Sequence, residues 1–203
     1  MKDEPVLSNK YTKTEKISEG SYGVVYKGKV TETGEVVAIK KFKAITNEGI
    51  PVSCIRELHV MNLLQTTQPE ESPQLTLRLY DVYQQKSELE MVVEWMDETL
   101  ADVLKASNQL NVKKMFTDIL KSVLQLHEHY VIHRDIKPAN IMLSHATGVM
   151  KVIDYGMAKE IEFEDKPMTN EVGSLYYRAP ELLLGSQRYD FAVDVWSLGC
   201  VFY

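Results

Sequence analysis

Short apolar and alternating runs dominate the first part of the chain and predict β-strands. Five such runs, rich in Val, Ile, Thr and Tyr, lie at residues 12–17, 24–30, 35–42, 77–83 and 89–94. One helix is predicted over residues 52–64, because Pro51 suits a first helical turn and apolar residues recur with helical spacing at Ile55, Leu58, Met61 and Leu64. The polar stretch 66–74 holds two prolines and predicts a loop. This part therefore reads as a mostly antiparallel sheet with one helix.

The rest of the chain has a helical pattern, so the fold class is α+β with two parts. Residues 111–130 predict a long amphipathic helix whose buried stripe is Val112, Met115, Phe116, Ile119, Leu120, Val123 and Leu124. Two short apolar pieces follow at 141–143 and 149–153. Residues 191–203 open another helix, which is apolar on nearly every side and so is expected to be buried. The change of pattern near 94–97 predicts a boundary that divides the chain into 1–95 and 96–203.

Composition narrows the class of protein. The 203 residues are 44% hydrophobic and 26% charged, which is typical of a globular chain and argues against a disordered or fibrous one. A formal net charge of −6 argues against direct nucleic-acid binding. There is no apolar run for a signal peptide or a membrane span, so we expect an intracellular protein of the nucleus or cytoplasm. Cys54 and Cys200 lie far apart and are expected to be reduced thiols.

Glycines between the first two strands form a candidate phosphate cradle. Gly20 and Gly23 let backbone N–H groups approach phosphate oxygens, although an ordinary hairpin turn explains them equally well. Lys40, on the third strand, could reach a phosphate as a point charge or simply be exposed. Glu57 on the helix could pair with Lys40 or lie on a solvated helix face. Taken singly, these residues leave the alternatives open.

The stretch from Ile132 to Asn140 narrows the choice. Phosphoryl transfer needs a residue that orients the attacking hydroxyl, a cation and metal ligands. Asp135 would accept a hydrogen bond from the substrate hydroxyl, and Lys137 would neutralise charge on the transferred group. Asn140 and Asp154 would bind the metal, because hard oxygen ligands suit magnesium. Downstream stand Ala179, Pro180 and Glu181.

With these motifs in order, the chain resembles a eukaryotic protein kinase over nearly all its length. Within that superfamily it is similar to the cyclin-dependent kinases, which are proline-directed Ser/Thr enzymes, at residues 20–23, 51–57 and 177–185. The resemblance implies a small antiparallel-sheet lobe with one helix, and a mainly helical lobe that is incomplete. It also implies ATP and Mg²⁺ as cofactors, with the nucleotide between the lobes, and protein substrates phosphorylated on Ser or Thr before Pro.

The resemblance also assigns the nucleotide site. Adenine would lie between apolar side chains at Ile17, Val25, Ala38 and Met142. Val93 would guard the back of the pocket, and the backbones of Glu94 and Met96 would meet the adenine edge. Trp95, between them, is expected to have a packing role.

Regulation is implied at three places. Thr169 matches the activating phosphothreonine, surrounded by Arg56, Arg134 and Lys159. Phosphate on Ser21 or Tyr22 would inhibit by crowding the ATP phosphates. A cyclin-like subunit would dock on residues 51–64 and move Glu57 towards Lys40. Gly173, in a left-handed conformation supported by Arg178, would favour proline after the acceptor.

Several positions depart from the family pattern. Ser18 replaces a glycine of the loop, Tyr155 replaces Phe, Lys159 replaces Arg, and the loop 66–74 is longer. Kinase domains also continue through further helices, so we expect the larger lobe to be incomplete and the chain alone to be a poor enzyme. The alternative function is a catalytically weak or inactive module that binds a cyclin-like partner.

Overall fold

The structure is a computed structural model that describes residues 9–20, 23–42, 50–67, 75–85, 88–106, 111–161 and 166–203. Ser21, Tyr22 and most of the predicted loop 66–74 lie outside these residues. The chain forms two compact units, Met1–Ile55 with Arg78–Met96, and Arg56–Leu77 with Asp97–Tyr203. Residues 56–77 thus group with the second unit, whereas the sequence placed them in the first lobe. The lobe boundaries themselves stay a prediction.

The first unit is an antiparallel sheet with strand order β1-β2-β3-β5-β4. The strands are β1 (Tyr11–Glu19), β2 (Gly23–Val30), β3 (Val36–Phe42), β4 (Leu79–Gln85) and β5 (Glu88–Glu94). All five predicted strands are confirmed. One face carries a buried cluster of Tyr11, Val37, Ile39 and Val92, with further tyrosines packed around it. The β-branched residues of that cluster suit a pleated, half-buried surface.

Helix α1 (Val52–Thr66) is confirmed and runs slightly past its predicted end. It begins at Pro51, whose carbonyl accepts hydrogen bonds from the backbone N–H groups of Cys54 and Ile55. Cys54, Val60, Met61 and Leu64 are buried, and Val52 and Ile55 are exposed. The helix therefore has a buried side and an outward apolar side.

The second unit contains the remaining elements. Its helices are α2 (Leu100–Lys105), α3 (Val112–Glu128), α4 (Pro180–Leu183) and α5 (Ala192–Phe202). Its short strands are β6 (Glu98–Thr99), β7 (Val131–Ile132), β8 (Ile141–Ser144), β9 (Val149–Val152) and β10 (Lys159–Glu160). Strands β6, β8 and β9 form one small sheet, and β7 pairs with β10. The sequence missed β6, β7, β10, α2 and α4, which are too short to show a period.

The predicted buried stripe of α3 was partly wrong. Ile119 and Val123 are buried as expected, but Val112, Phe116, Leu120 and Leu124 are exposed. The buried stripe is instead completed by Ser122, Gln125 and Leu126. Ser122 is buried because its hydroxyl accepts a hydrogen bond from the backbone N–H of Val152 at 3.1 Å. The apolar residues of α3 cover more than one face, so the neighbouring strand, not the pattern, decides which face is buried.

Helix α5 also departs from the expectation of complete burial. Val193, Asp194, Ser197 and Leu198 are buried, whereas Val195 and Trp196 are exposed. Leu198 joins a core cluster with residues of α2, α3 and the β8–β9 hairpin. Within the described ranges, no helix is both long and apolar enough to cross a bilayer.

Candidate active site

A buried carboxylate fixes the backbone of residues 132–140, the predicted catalytic loop. Asp194, at the start of α5, is 0% exposed. Its oxygens accept hydrogen bonds from the backbone N–H groups of His133 and Arg134, both at 2.8 Å. The imidazole Nε2 of His127 lies 2.9 Å from the same carboxylate. These hydrogen bonds hold Arg134 in a left-handed conformation with φ 67°.

Asp135 lies at the centre of a network of four hydrogen bonds. Lys137 Nζ donates to Oδ2 at 2.7 Å, and Asn140 Nδ2 donates to the same oxygen at 2.9 Å. Oδ1 accepts from the backbone N–H of Ser174 at 2.8 Å and from its hydroxyl at 2.9 Å. Because both carboxylate oxygens are engaged, Asp135 is held in one orientation. The structure thus brings three predicted residues, Asp135, Lys137 and Asn140, into direct contact.

The residues predicted to bind metal fit a magnesium ion. Asn140 uses its amide nitrogen to bond the carboxylate and the carbonyl of Asp135, so its amide oxygen points away from them. The carbonyl of Asn140 accepts from the N–H of Ile153 at 2.9 Å, which ties it to the residue before Asp154. Mg²⁺ is usually bound by one or two protein oxygens plus phosphates and waters.

Asp154 has an unusual backbone for its residue type. Its φ of 66° and ψ of 72° place it in the left-handed region, which costs a non-glycine residue about 1–2 kcal/mol. Such strain persists where the surroundings fix the conformation, and it concentrates at functional sites. The next residue, Tyr155, is completely buried, and its hydroxyl donates to the carbonyl of Val152 at 2.9 Å. The replacement of Phe by Tyr is therefore accommodated by a hydrogen bond.

Gly173 and Arg178 form the arrangement that the sequence predicted. Gly173 has φ +75°, and a Cβ at this position would lie 2.5 Å from the carbonyl oxygen of Arg134. The guanidinium of Arg178 donates to the carbonyl of Gly173 at 2.7 Å. A small hollow beside Asp135 is lined by the chain around Arg134, by the chain from Gly173 to Arg178, and by helices α4 and α5. Its lining includes Ile136, Tyr177, Leu182, Val193 and Ser197.

Two of the three predicted phosphate-binding cations lie close together. The guanidinium of Arg56 donates to the carbonyl of Gly156 at 2.8 Å, and Nε of Arg134 donates to the carbonyl of Met157 at 2.7 Å. Burial, and secondly the charge of Arg134, lower the pKa of Arg56 below its usual range. Neither arginine forms an ion pair among the described residues. Lys159, the third cation, lies in β10 opposite Ile132, and the Thr169 side chain is exposed.

Glu57 is buried, with only 4% of its surface exposed. This excludes the solvated-helix-face interpretation of its position on α1. On the outward side of the same helix, Val52 is 68% and Ile55 is 55% exposed.

The first unit places several predicted nucleotide-binding residues on one face of its sheet. In the strand register Val25 lies opposite Lys40, and Ala38 lies opposite Val93. Residues two apart on a strand, and residues directly opposite each other on paired strands, have their side chains on the same face of the sheet. These four residues therefore lie on one face, opposite to the face that carries the buried cluster of Tyr11, Val37, Ile39 and Val92. Ile17 is 46% exposed near the end of β1.

The glycines of the predicted cradle differ in role. The N–H of Gly20 donates to the carbonyl of Gly23 at 2.9 Å, which closes the turn. A Cβ at Gly23 would run into the carbonyl of Lys41 on β3, so Gly23 is also required by strand packing. Ser18, the departure from the pattern, lies exposed in β1 beside an irregularity in the strand pairing.

The residues predicted to meet the adenine edge end the first unit. Glu94 is the last residue of β5, and its N–H donates to the carbonyl of Arg78 at 2.9 Å. Met96 is buried. The ammonium group of Lys27 lies 4.5 Å from the ring centroid of Trp95, a contact consistent with the packing role expected for this tryptophan. Met142, the remaining predicted adenine contact, is half-buried in β8 of the second unit.

Two site residues were missed by the sequence reasoning. Ser174 contributes two of the four hydrogen bonds to Asp135, and its hydroxyl accepts from Lys137 at 2.8 Å. Its position directly after Gly173 was the available signal. The hydroxyl of Tyr189 accepts from Nη1 of Arg134 at 3.0 Å and donates to the carbonyl of Thr169 at 2.6 Å. Nothing in the sequence pattern indicates that contact.

Comparison with known proteins places the chain in a family. A protein kinase domain model matches residues 11–203. The chain therefore belongs to the protein kinase family. A chain of the CAK complex of Chaetomium thermophilum, solved bound to ATP-γ-S, is 31% identical with a TM-score of 0.84, over 96% of this chain and 61% of that chain. The chain spans about three fifths of that relative's length.

Proposed function

We propose that this chain transfers the γ-phosphate of ATP to a Ser or Thr hydroxyl of a protein substrate. The observation that carries the proposal is the Asp135 network, in which Lys137, Asn140 and Ser174 orient one carboxylate. The CAK-complex relative, solved with an ATP analogue, supports ATP as the nucleotide.

Each residue of the network has a role in this chemistry. Four hydrogen bonds fill the lone-pair sites of the Asp135 carboxylate and fix its direction. The attacking hydroxyl would take the place of one of these four donors and donate its own hydrogen bond to Asp135. Lys137 is shared between Asp135 and Ser174 and so carries a positive charge to the place where the phosphoryl group passes. Asn140 and Asp154 would hold Mg²⁺, which neutralises phosphate charge. Lys40, positioned by Glu57, would hold the ATP phosphates.

The position of Gly173 supports a preference for Ser or Thr followed by Pro. Its carbonyl already accepts a hydrogen bond from Arg178, so a substrate N–H at that point would lack an acceptor. Proline has no N–H to satisfy. A short Ser or Thr side chain also keeps the substrate backbone near Gly173 when its hydroxyl reaches Asp135, whereas a Tyr side chain would hold it much farther away.

Two regulatory features complete the proposal. The pair Arg56 and Arg134 lacks an ion-pair partner among the described residues, which supports phosphate on Thr169 as its ligand. The exposed Val52 and Ile55 support a cyclin-like partner docked on α1. The same surface favours the second candidate function, a module that binds this partner without efficient transfer. We place the protein in the nucleus or cytoplasm, in keeping with Cys54 and Cys200, which form no disulfide bond.

The test of transfer is the variant Asp154→Asn. We expect this chain within a complete kinase domain, given ATP, Mg²⁺ and a Ser-Pro peptide, to transfer phosphate at roughly 1–100 per second when fully activated. Asp154→Asn should lower the rate at least about a hundredfold, since a carboxylate ligand of the metal is lost. Asp102→Asn, an equal change on the exposed face of α2, is the control and should have no effect. Normal transfer by Asp154→Asn would remove the assignment, and binding of a cyclin-like partner without transfer would favour the second function.

A further inference from the structure

The hydroxyl of Tyr189 links residues 166–178, the stretch that carries Thr169 and is called the activation segment below, to the catalytic loop. It accepts a hydrogen bond from Nη1 of Arg134 at 3.0 Å and donates one to the backbone carbonyl of Thr169 at 2.6 Å. Arg134 is the residue before Asp135 and is 6% exposed. One neutral hydroxyl therefore connects a buried cation of the catalytic loop with the backbone of the proposed phosphorylation site.

The surroundings of Tyr189 fix this hydroxyl in space. The ring packs against a buried cluster that includes Val172, Leu182 and Val193. The N–H of Met168 donates to the carbonyl of Gln187 at 2.8 Å, so a second bond joins the same two stretches of chain. Residues 168–169 thus lie along residues 187–189, and a ring held by packing presents its hydroxyl with little loss of entropy on forming the bonds.

Arg134 needs such an acceptor when no phosphate is present. Its Nε is satisfied by the carbonyl of Met157, and Arg56, which is also cationic, lies near enough to feel its charge. A buried donor without an acceptor is unfavourable. The Tyr189 hydroxyl supplies a neutral acceptor where a carboxylate or phosphate would otherwise be required.

We propose that Tyr189 is a positioning residue that holds the unphosphorylated activation segment in its working place by acting as the acceptor for Arg134. This inference rests on the proposed kinase function and adds to it a basal state that is already ordered before phosphate reaches Thr169. Phosphate on Thr169 would then strengthen an existing arrangement through Arg56 and Arg134. Removing the Tyr189 hydroxyl should make activity depend on that phosphate.

The test compares Tyr189→Phe with the unchanged chain, each in unphosphorylated form and with phosphothreonine incorporated at residue 169. Tyr189→Phe keeps the packed ring and removes only the two hydrogen bonds. Hydrogen exchange of residues 166–178 should become about tenfold faster in the unphosphorylated variant, since a bond to a charged donor is lost. Basal kcat should fall by a similar factor with the KM for ATP unchanged, and phosphothreonine should restore both exchange protection and kcat. Tyr80→Phe, which removes a tyrosine hydroxyl bonded to Glu35 in the first unit, should change none of these.

Each outcome decides a separate point. Exchange that is unchanged in Tyr189→Phe overturns the inference, whatever the activity. Faster exchange that phosphothreonine fails to restore also overturns it, because the hydroxyl would then not be standing in for the phosphate as the acceptor for Arg134. If the unchanged chain transfers no phosphate, the proposed function fails, while the exchange measurements still decide whether Tyr189 holds the segment.

Discussion

At the scale of single residues, the candidate site is built from conformations that most side chains avoid. Arg134 and Asp154 have φ values of 67° and 66°, and Gly173 has φ +75°. Arg134 precedes Asp135 and Gly173 precedes Ser174 of the Asp135 network, and Asp154 is itself a proposed metal ligand. The buried Asp194 carboxylate and the Arg178 guanidinium hold two of these conformations through hydrogen bonds to the backbone. Local strain at the site is therefore balanced by buried polar contacts from elsewhere in the second unit.

The variant Gly173→Ala should impair both stability and transfer. A Cβ would meet the carbonyl oxygen of Arg134 at 2.5 Å, and the left-handed backbone adds about 1–2 kcal/mol of strain. We expect a lower midpoint of chemical denaturation and at least about a tenfold lower kcat/KM for a Ser-Pro peptide, since displacing Arg134 disturbs Asp135. The control is Gly148→Ala, because Gly148 has φ +64° with open space around it. Equal effects of the two variants would show that the contact with Arg134 has no role.

At the scale of elements, a clasp joins the two edge strands of the first sheet. Lys10, which directly precedes β1, and Tyr11, its first residue, donate hydrogen bonds to the carboxylate of Asp81 on β4 at 2.6 and 2.5 Å. In a flat five-stranded sheet these edges would lie about 19 Å apart, so the contact requires the sheet to curl. Tyr11 crosses the face and covers the cluster of Val37, Ile39 and Val92.

The clasp predicts a pH window for its contribution to stability. Burial, and secondly the Asp81 hydrogen bond, raise the pKa of Tyr11 from 10.0 to about 12. Burial opposes ionisation of Asp81, but hydrogen bonds from Lys10 and Tyr11 outweigh it and lower the pKa of Asp81 below 3.8. The stabilisation that accompanies the raised pKa of Tyr11 is fully present below pH 10.0 and is lost as the pH rises through about 12. The stabilisation that accompanies the lowered pKa of Asp81 is present above pH 3.8 and is lost as the pH falls through the pKa of Asp81 in the folded protein.

The measurement is the difference in the free energy of unfolding, obtained by chemical denaturation, between the unchanged chain and Tyr11→Phe. We expect Tyr11→Phe to cost about 1.5 kcal/mol near neutral pH, the typical contribution of a hydrogen bond to a charged group. This difference should be constant from about pH 5 to pH 9 and should shrink at both extremes. A difference that does not change with pH would show that the Tyr11–Asp81 bond contributes nothing measurable.

The exposed apolar side of helix α1 is expected to be the docking surface for a cyclin-like partner. Ile55→Asp places a charge on a residue that is 55% exposed, so folding should be unaffected, whereas an apolar docking surface should lose its partner. Pull-down from lysate with the unchanged chain, Ile55→Asp and the double variant Ile55→Asp with Arg56→Glu should show a cyclin-like subunit only with the first. The control is Val82→Asp, at an exposed apolar position of β4. Equal recovery of every protein by all variants would contradict the docking surface.

At the scale of the whole molecule, one surface is more apolar than isolated exposed side chains explain. Val112, Phe116, Leu120 and Leu124 recur at helical spacing along α3, and their exposed fractions lie between 37% and 60%. The Phe116 ring packs edge-on against Phe202 of α5, with centroids 3.9 Å apart, so the surface continues onto that helix. Contiguous apolar surface of this kind favours association.

We therefore expect this chain to self-associate as its concentration rises. Sedimentation should show a concentration-dependent mass, and a hydrophobic dye should bind. The double variant Leu120→Lys with Leu124→Glu should weaken both, since it breaks the stripe without touching Phe116. Leu104→Lys changes an isolated exposed leucine of α2 and serves as the control. A chain that stays monomeric at tens of micromolar, binds no dye and melts cooperatively would contradict this expectation.

The sequence by itself determined the elements with a strong period and the residues with distinctive chemistry. Strands β1 to β5 and helices α1 and α3 were predictable because their side chains repeat over many residues. The contacts of Asp135 with Lys137 and Asn140 could be anticipated because the order and spacing of these residues match what phosphoryl transfer requires. Those residues lie within one loop, so a local pattern records them.

Only the tertiary structure decided which of several possible faces is buried and which distant residues meet. The apolar residues of α3 permit more than one stripe, and the bond from Val152 to Ser122 selects the one observed. Ser174 reaches Asp135, and Tyr189 joins Arg134 to Thr169, across gaps of 39, 55 and 20 residues. A hydroxyl has the same intrinsic chemistry at every position in the chain. Its role here depends on the partner that folding places within 3 Å, and no local pattern encodes that distance.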